Sequence, residues 1–182
     1  MIHANSQRDT VTSVTHWLIA VVMIGMLIFG FYLRYFVSIE ANEALVALHR
    51  QIGFLVLVPA SGSIIWRMSQ GRLPNAKLQS GWMRVLVAAV HWSLLAATMA
   101  IPLSGLAMTL GHGGAIDLFG VFKVGPLAEP NHTLAQLGSV LHAKLGKVLA
   151  LAIALHIAGA VKHHFYLAAA WIRTTLQMSA SS

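Results

Sequence analysis

Ten histidines in a chain of 182 residues offer most of its chemistry, and two of them set the problem. His142 and His156 bound the apolar stretch LHAKLGKVLALAIALH, fourteen residues apart. In a helix that interval rises ~21 Å, and fourteen steps of 100° return to within about 40° of the starting direction. Both imidazoles then leave one face, one near each end of a membrane-length segment. Neutral imidazole is a usual haem ligand. One such ligand at each depth suits two stacked cofactors, provided each finds a partner at its own level.

The elements that must position these rings follow from composition. The chain is 57% hydrophobic and 9% charged, where a soluble domain carries roughly 25% charged residues. Four segments supply the roughly 20 mostly apolar residues that a membrane-crossing helix needs. They are 14–36, 45–67, 83–110 and 137–168. The expected fold is all-α, an integral membrane four-helix bundle, with residues 1–182 as one domain. Pro59 and Pro102 fall inside spans and are expected to kink them. The connection GHGGAIDLFGVFKVGPLAEPNHT is too rich in glycine and proline for a long helix, and its place suits a cover over the helix ends. The N-terminal MIHANSQRDTVTS lacks the pattern of a signal peptide, so the first apolar segment reads as a permanent span. There is no cysteine, which excludes iron–sulfur clusters, thiolate zinc and covalently attached haem.

Charge sets the orientation. Arg8, Arg67, Arg72, Lys77, Arg84, Lys162 and Arg173 fall on one side with a single acid, Asp9. Arg34, Arg50, Lys123, Lys144 and Lys147 fall on the other, among Glu40, Glu43, Asp117 and Glu129. The positive-inside rule then places both termini in the cytoplasm. The net charge of +7 reflects topology, not a nucleic-acid surface.

On this topology His16 and His156 share the inner level, and His49 and His142 the outer one. Two histidines from different helices at one depth can clamp a metalloporphyrin from both faces. His91 also falls at inner depth, where it competes with His16 for the iron or serves a quinone or the bundle by a hydrogen bond. His163 and His164 close the fourth span at the inner surface, as interfacial polar residues or as part of a quinone or proton site. His3, His112 and His132 read as surface residues. Gly53 and Gly146 each follow an outer histidine by four residues, where a glycine gives room to a flat ring or to a packed helix. Arg50, Lys144 and Lys147 flank the outer pair, suited to haem propionates, to an anionic substrate, or to ordinary snorkelling.

Together TSVTHW, LHRQIG, HW with IPLSGLAM, and LHAKLG followed by His156 and KHHFY resemble the bacterial cytochrome b561 family over roughly residues 8–172. Its members are four-helix dihaem proteins of the inner membrane. The resemblance, extended to the related dihaem subunits of formate dehydrogenases, implies axial ligands His16, His49, His142 and His156, two non-covalent b haems and a quinone partner. It favours His16 over His91. One branch of the family oxidises superoxide at the outer face and reduces ubiquinone.

The leading expectation is therefore an oxidoreductase that relays single electrons between an outer donor, superoxide in one version, and membrane quinone. With both axial positions filled no residue has a catalytic role at the metal. The alternative is a haem-bearing membrane anchor that passes electrons between a dehydrogenase partner and quinone. A cation transporter is disfavoured, because none of the five acidic residues lies deep in a span.

Overall fold

In a computed structural model, the backbone is described for residues 2–38, 42–70 and 81–180. Side chains are described within those ranges except at 2–9, 11, 67, 68, 70, 163, 164 and 166–180. The elements run α1 (Ile2–Phe36), α2 (Glu43–Leu55), α3 (Leu57–Gln70), α4 (Gly81–Gly111), β1 (Ile116–Leu118), β2 (Phe122–Val124) and α5 (His132–Ala180). Among the described residues four stretches are long and apolar enough to cross a membrane: Thr12–Phe36, Glu43–Trp66, Gly81–Gly111 and His132–Lys162. The four expected spans are therefore present. Their helices run further than the apolar windows, because backbone hydrogen bonding continues where hydropathy stops. α1 begins within the polar N-terminal stretch, and α5 runs past 168 to Ala180.

The second span is two helices. Pro59 has no N–H to give the Leu55 carbonyl, and its ring crowds that group. The helix accordingly breaks at Val56, although Val56 N–H still reaches Ile52 O and Ala60 N–H reaches Val56 O, both at 3.0 Å. Pro102, in contrast, sits inside a continuous α4. α5 starts at an Asn131 cap whose Oδ1 accepts the Leu134 N–H at 2.9 Å.

One element departs from the all-α expectation. Residues 116–124 form an antiparallel hairpin with Ile116 opposite Val124, Asp117 opposite Lys123 and Leu118 opposite Phe122. Gly120 takes φ +77° in its loop, a conformation glycine adopts without strain. The Asp117 carboxylate accepts the Gly120 N–H at 2.7 Å and pairs with Lys123 at 3.2 Å. These contacts hold the carboxyl below the ordinary carboxylate range. A lone hairpin is marginal in water. This one is held by burial of Ile116 and Leu118 and by Gln51, whose Nε2 donates to Asp117 O at 2.7 Å. The long connection thus packs against α2.

Most large side chains on the helices face outward, as lipid-facing residues do, and the buried core is small: Met23, Val56, Ala60, Ala97 and Leu149. Buried hydroxyls satisfy themselves on their own helix, Ser63 to Ala60 O, Ser104 to Ile101 O and Thr109 to Gly105 O. The most extensive helix contact joins α4 and α5, and small residues make it close. A Cβ at Gly138 would lie 2.5 Å from Met108 N and 2.9 Å from Ser104 O. Gly138→Ala is expected to cost about 1–3 kcal/mol by overpacking, read as a shorter thermal half-life in detergent. Gly25→Ala, whose Cβ meets nothing within 4 Å, should leave that half-life unchanged.

Candidate haem sites

α5 is unbroken between His142 and His156, so the two rings stand on one helix. Each faces a ring from another helix. The centroids of His16 and His156 are 6.2 Å apart with planes at 61°. Those of His49 and His142 are also 6.2 Å apart, with planes at 89°. Two in-line metal–imidazole bonds of about 2.0 Å, with the ring radii added, put ring centres roughly 6 Å apart. Both pairs have that spacing. His91 lies 5.1 Å from His156, about an ångström short of it.

The inner level opens into a cavity of about 240 Å³ walled by α1, α3, α4 and α5. His16, His91 and His156 line it among apolar side chains, with Thr12, Thr15, Ser63 and Thr98 as minor polar contributors. Trp66 closes α3 onto α1 by donating from Nε1 to Thr12 Oγ1 at 3.2 Å. The His91 Nδ1 is 2.7 Å from Val87 O. A carbonyl only accepts, so this nitrogen carries the proton and Nε2 keeps its lone pair.

At the outer level His142 Nδ1 is 3.0 Å from Ile101 O and 3.2 Å from Ser104 Oγ. The same reasoning puts the proton on Nδ1 and leaves Nε2 free to ligate. A Cβ at Gly105 would lie 3.1 Å from His142 Cε1, and one at Gly30 would lie 3.3 Å from His49 Cε1. Phe29 and His49 pack in a T-shaped contact with ring centroids 5.5 Å apart. His49 Nδ1 and Arg50 Nε are buried without a hydrogen-bond partner. Unmet donors are costly inside a protein, and an anionic group such as a propionate would satisfy Arg50.

The sequence-derived residues divide accordingly. His16 with His156, and His49 with His142, are brought together in pairs. His91 is brought to the inner pair. A Cβ at Gly53 would meet only Met26 Cε at 3.6 Å, and one at Gly146 would meet nothing within 4 Å. Gly146 is therefore not at a helix contact, and the space beside it is open. Lys144 and Lys147 are exposed, whereas Arg50 is half-buried and Lys123 is partly neutralised by Asp117. The side chains of His163 and His164 lie outside the described residues, as do those of Arg8, Arg67, Arg72, Lys77 and Arg173.

Gly30, Gly105, Ser104 and the Ile101 carbonyl were not singled out from sequence. A signal for the glycines exists: Gly30 follows His16 by fourteen residues, and Gly105 follows His91 by fourteen. That is the interval separating His142 from His156.

The residues fit a haem at each level. Ring spacing suits in-line ligation, His142 presents a free Nε2, and half-buried Arg50 keeps a buried Nε without a hydrogen-bond partner. Among the described residues no group of three or more histidine, cysteine or acidic side chains could hold a bare metal ion. A porphyrin, which brings four nitrogens of its own, needs only the two that each pair offers.

The chain is 28% identical to cytochrome b561 homolog 2 of Escherichia coli (strain K12) over 163 residues, covering 85% of this chain and 83% of that protein. The profile of the prokaryotic cytochrome b561 family matches residues 7–173. The chain belongs to the prokaryotic cytochrome b561 family, membrane proteins that transfer electrons by means of b-type haem.

Proposed function

We propose that this protein binds two b haems and carries single electrons across the bacterial inner membrane between an outer donor and membrane quinone. The observation that carries this reading is the equal 6.2 Å spacing of two histidine pairs at two levels of one bundle. His16 and His156 would hold the inner haem, His49 and His142 the outer one. Arg50 would bind a propionate. When bound, haem supplies reversible one-electron transfer at a potential set by its ligands and their hydrogen bonds.

The donor we infer is superoxide. Each of two superoxide ions gives up one electron and leaves as dioxygen. One quinone takes both electrons and two protons from the inner side and leaves as quinol. Lys144 and Lys147, both exposed, raise the local concentration of an anion near the outer level. At the inner level the His91 Nδ1 proton is committed to Val87 O. Its Nε2 can therefore accept a hydrogen bond from a quinol hydroxyl or hold a proton in transit. His163 and His164 would serve proton delivery at the inner surface.

The test is superoxide-dependent quinone reduction by the protein in liposomes. Lys144→Gln with Lys147→Gln should slow it roughly tenfold at low ionic strength, with the difference closing as salt screens the field. An unchanged rate and salt dependence would exclude electrostatic steering of superoxide.

A second reading, the haem-bearing anchor of a multisubunit dehydrogenase, is favoured by one observation. Phe119, Val121 and Phe122 are exposed on the hairpin, outside the candidate spans, and exposed apolar patches often mark protein contacts. Full quinone reductase activity in the chain purified alone would count against it.

A further inference from the structure

The outer histidine pair differs from the inner pair in how its rings are held. His49 and His142 each stand against a glycine of a helix that carries neither of them. Any larger residue at Gly30 or Gly105 would place its Cβ 3.3 Å or 3.1 Å from the ring's Cε1. Such contacts are tight enough to push the ring. His142 is also anchored by hydrogen bonds. Ser104 Oγ–H is given to Ile101 O at 2.7 Å, so an oxygen lone pair is what meets the His142 Nδ1–H at 3.2 Å. Ile101 O accepts the same proton at 3.0 Å. His49 has no such anchor at Nδ1. It stands against Phe29 and Gly30 of α1. The result is a pair of ring planes at 89°, against 61° for the inner pair.

We propose that Gly30, Gly105 and Ser104 are positioning residues that hold His49 and His142 with crossed ring planes, and His142 as a strongly donating ligand, so fixing the electronic state of the outer iron. The proposal rests on the reading that these two histidines hold a haem. Ring orientation matters because each imidazole donates π density into one of two iron d orbitals. Crossed rings donate to both and leave them nearly degenerate, which gives a highly anisotropic low-spin ferric signal. Parallel rings split them and give a rhombic three-line signal. A hydrogen bond from Nδ1–H to oxygen makes an imidazole more basic and favours the ferric state.

The test compares wild-type protein with Gly105→Ala, Ser104→Ala and Ser104→Thr, measuring haem per chain, the ferric electron paramagnetic resonance spectrum and a redox titration. In the wild type the outer haem should give the highly anisotropic signal. Gly105→Ala should make it less anisotropic, and Ser104→Ala should raise the outer potential while leaving the inner haem unchanged. Ser104→Thr, which keeps the hydroxyl, should restore it. An unaltered outer signal in Gly105→Ala and an unaltered outer potential in Ser104→Ala, with haem content intact, would overturn the proposal. If Gly105→Ala loses haem, Ser104→Ala decides alone, since it removes one atom without adding bulk. One haem or none in the wild type would instead defeat the ligand reading, a failure visible in the haem count before any variant is compared.

Discussion

His142→Ala should lose one b haem of two, and His49→Ala should lose the same one. The two rings stand 6.2 Å apart at the outer level, so on the ligation proposed above removing either would leave the outer iron with one protein ligand. The double variant should therefore lose no more haem than either single variant. His142→Ala combined with His156→Ala should lose both, because among the described residues α5 alone carries a histidine at both levels. Non-additivity within a level and additivity between levels are what separate paired ligands from four independent polar residues. Haem per chain and reduced-minus-oxidised spectra measure both. A His49→Ala variant that keeps two haems, or a double variant that loses a second, would break the pairing.

Much of this arrangement was legible because a helix converts sequence interval into height. Fourteen residues make almost four turns, and the chain uses that interval on every span. His16 is paired with Gly30, His49 with Ser63, His91 with Gly105 and His142 with His156. The inner members all line the inner cavity. The outer members are the rings of His49 and His142 and the two glycines that make room for them. Reading only histidines recovers five of these eight positions, since a glycine signals by what it lacks. Ser104 was hidden for another reason. Its role depends on an α4–α5 contact, between residues 38 apart, that no local pattern encodes.

The misplaced features have equally physical causes. Hydropathy marks where lipid ends, whereas helices end where backbone hydrogen bonds do, so α5 overran its apolar window. Pro59 was expected to bend one helix and instead divides it at Val56, three residues upstream. That is the turn in which the missing N–H and the ring crowding are felt. The hairpin at 116–124 has strands of three residues, too short for alternation to stand out from a mixed loop. Its stability comes from Gln51 and from burial of Ile116 and Leu118, both long-range. The outer basic patch is also smaller than composition implies, because Lys123 is spent on Asp117 within the hairpin.

His16→Ala should lose the inner haem, while His91→Ala should keep it. Sequence depth alone left these two residues in competition, and both line the inner cavity. Their geometry differs. His16 is 6.2 Å from His156, the same distance that separates the outer pair. His91 is 5.1 Å from it, with ring planes at 83°. An iron between rings that close would need both bonds shortened or bent away from the line that a flat porphyrin imposes. His91 is also fixed to its own helix through Val87 O at 2.7 Å, so moving outward by an ångström would break a hydrogen bond in a low-dielectric site. It is placed to touch the His156 ring or a ligand in the cavity, and too close to share a metal with it. His91→Ala should accordingly bind two haems with a low-spin spectrum at both, and slow quinone turnover by about 10²-fold if its Nε2 handles the proton. A His91→Ala protein with one haem, beside a His16→Ala protein with two, would reverse the assignment and make α4 the helix that holds the inner iron.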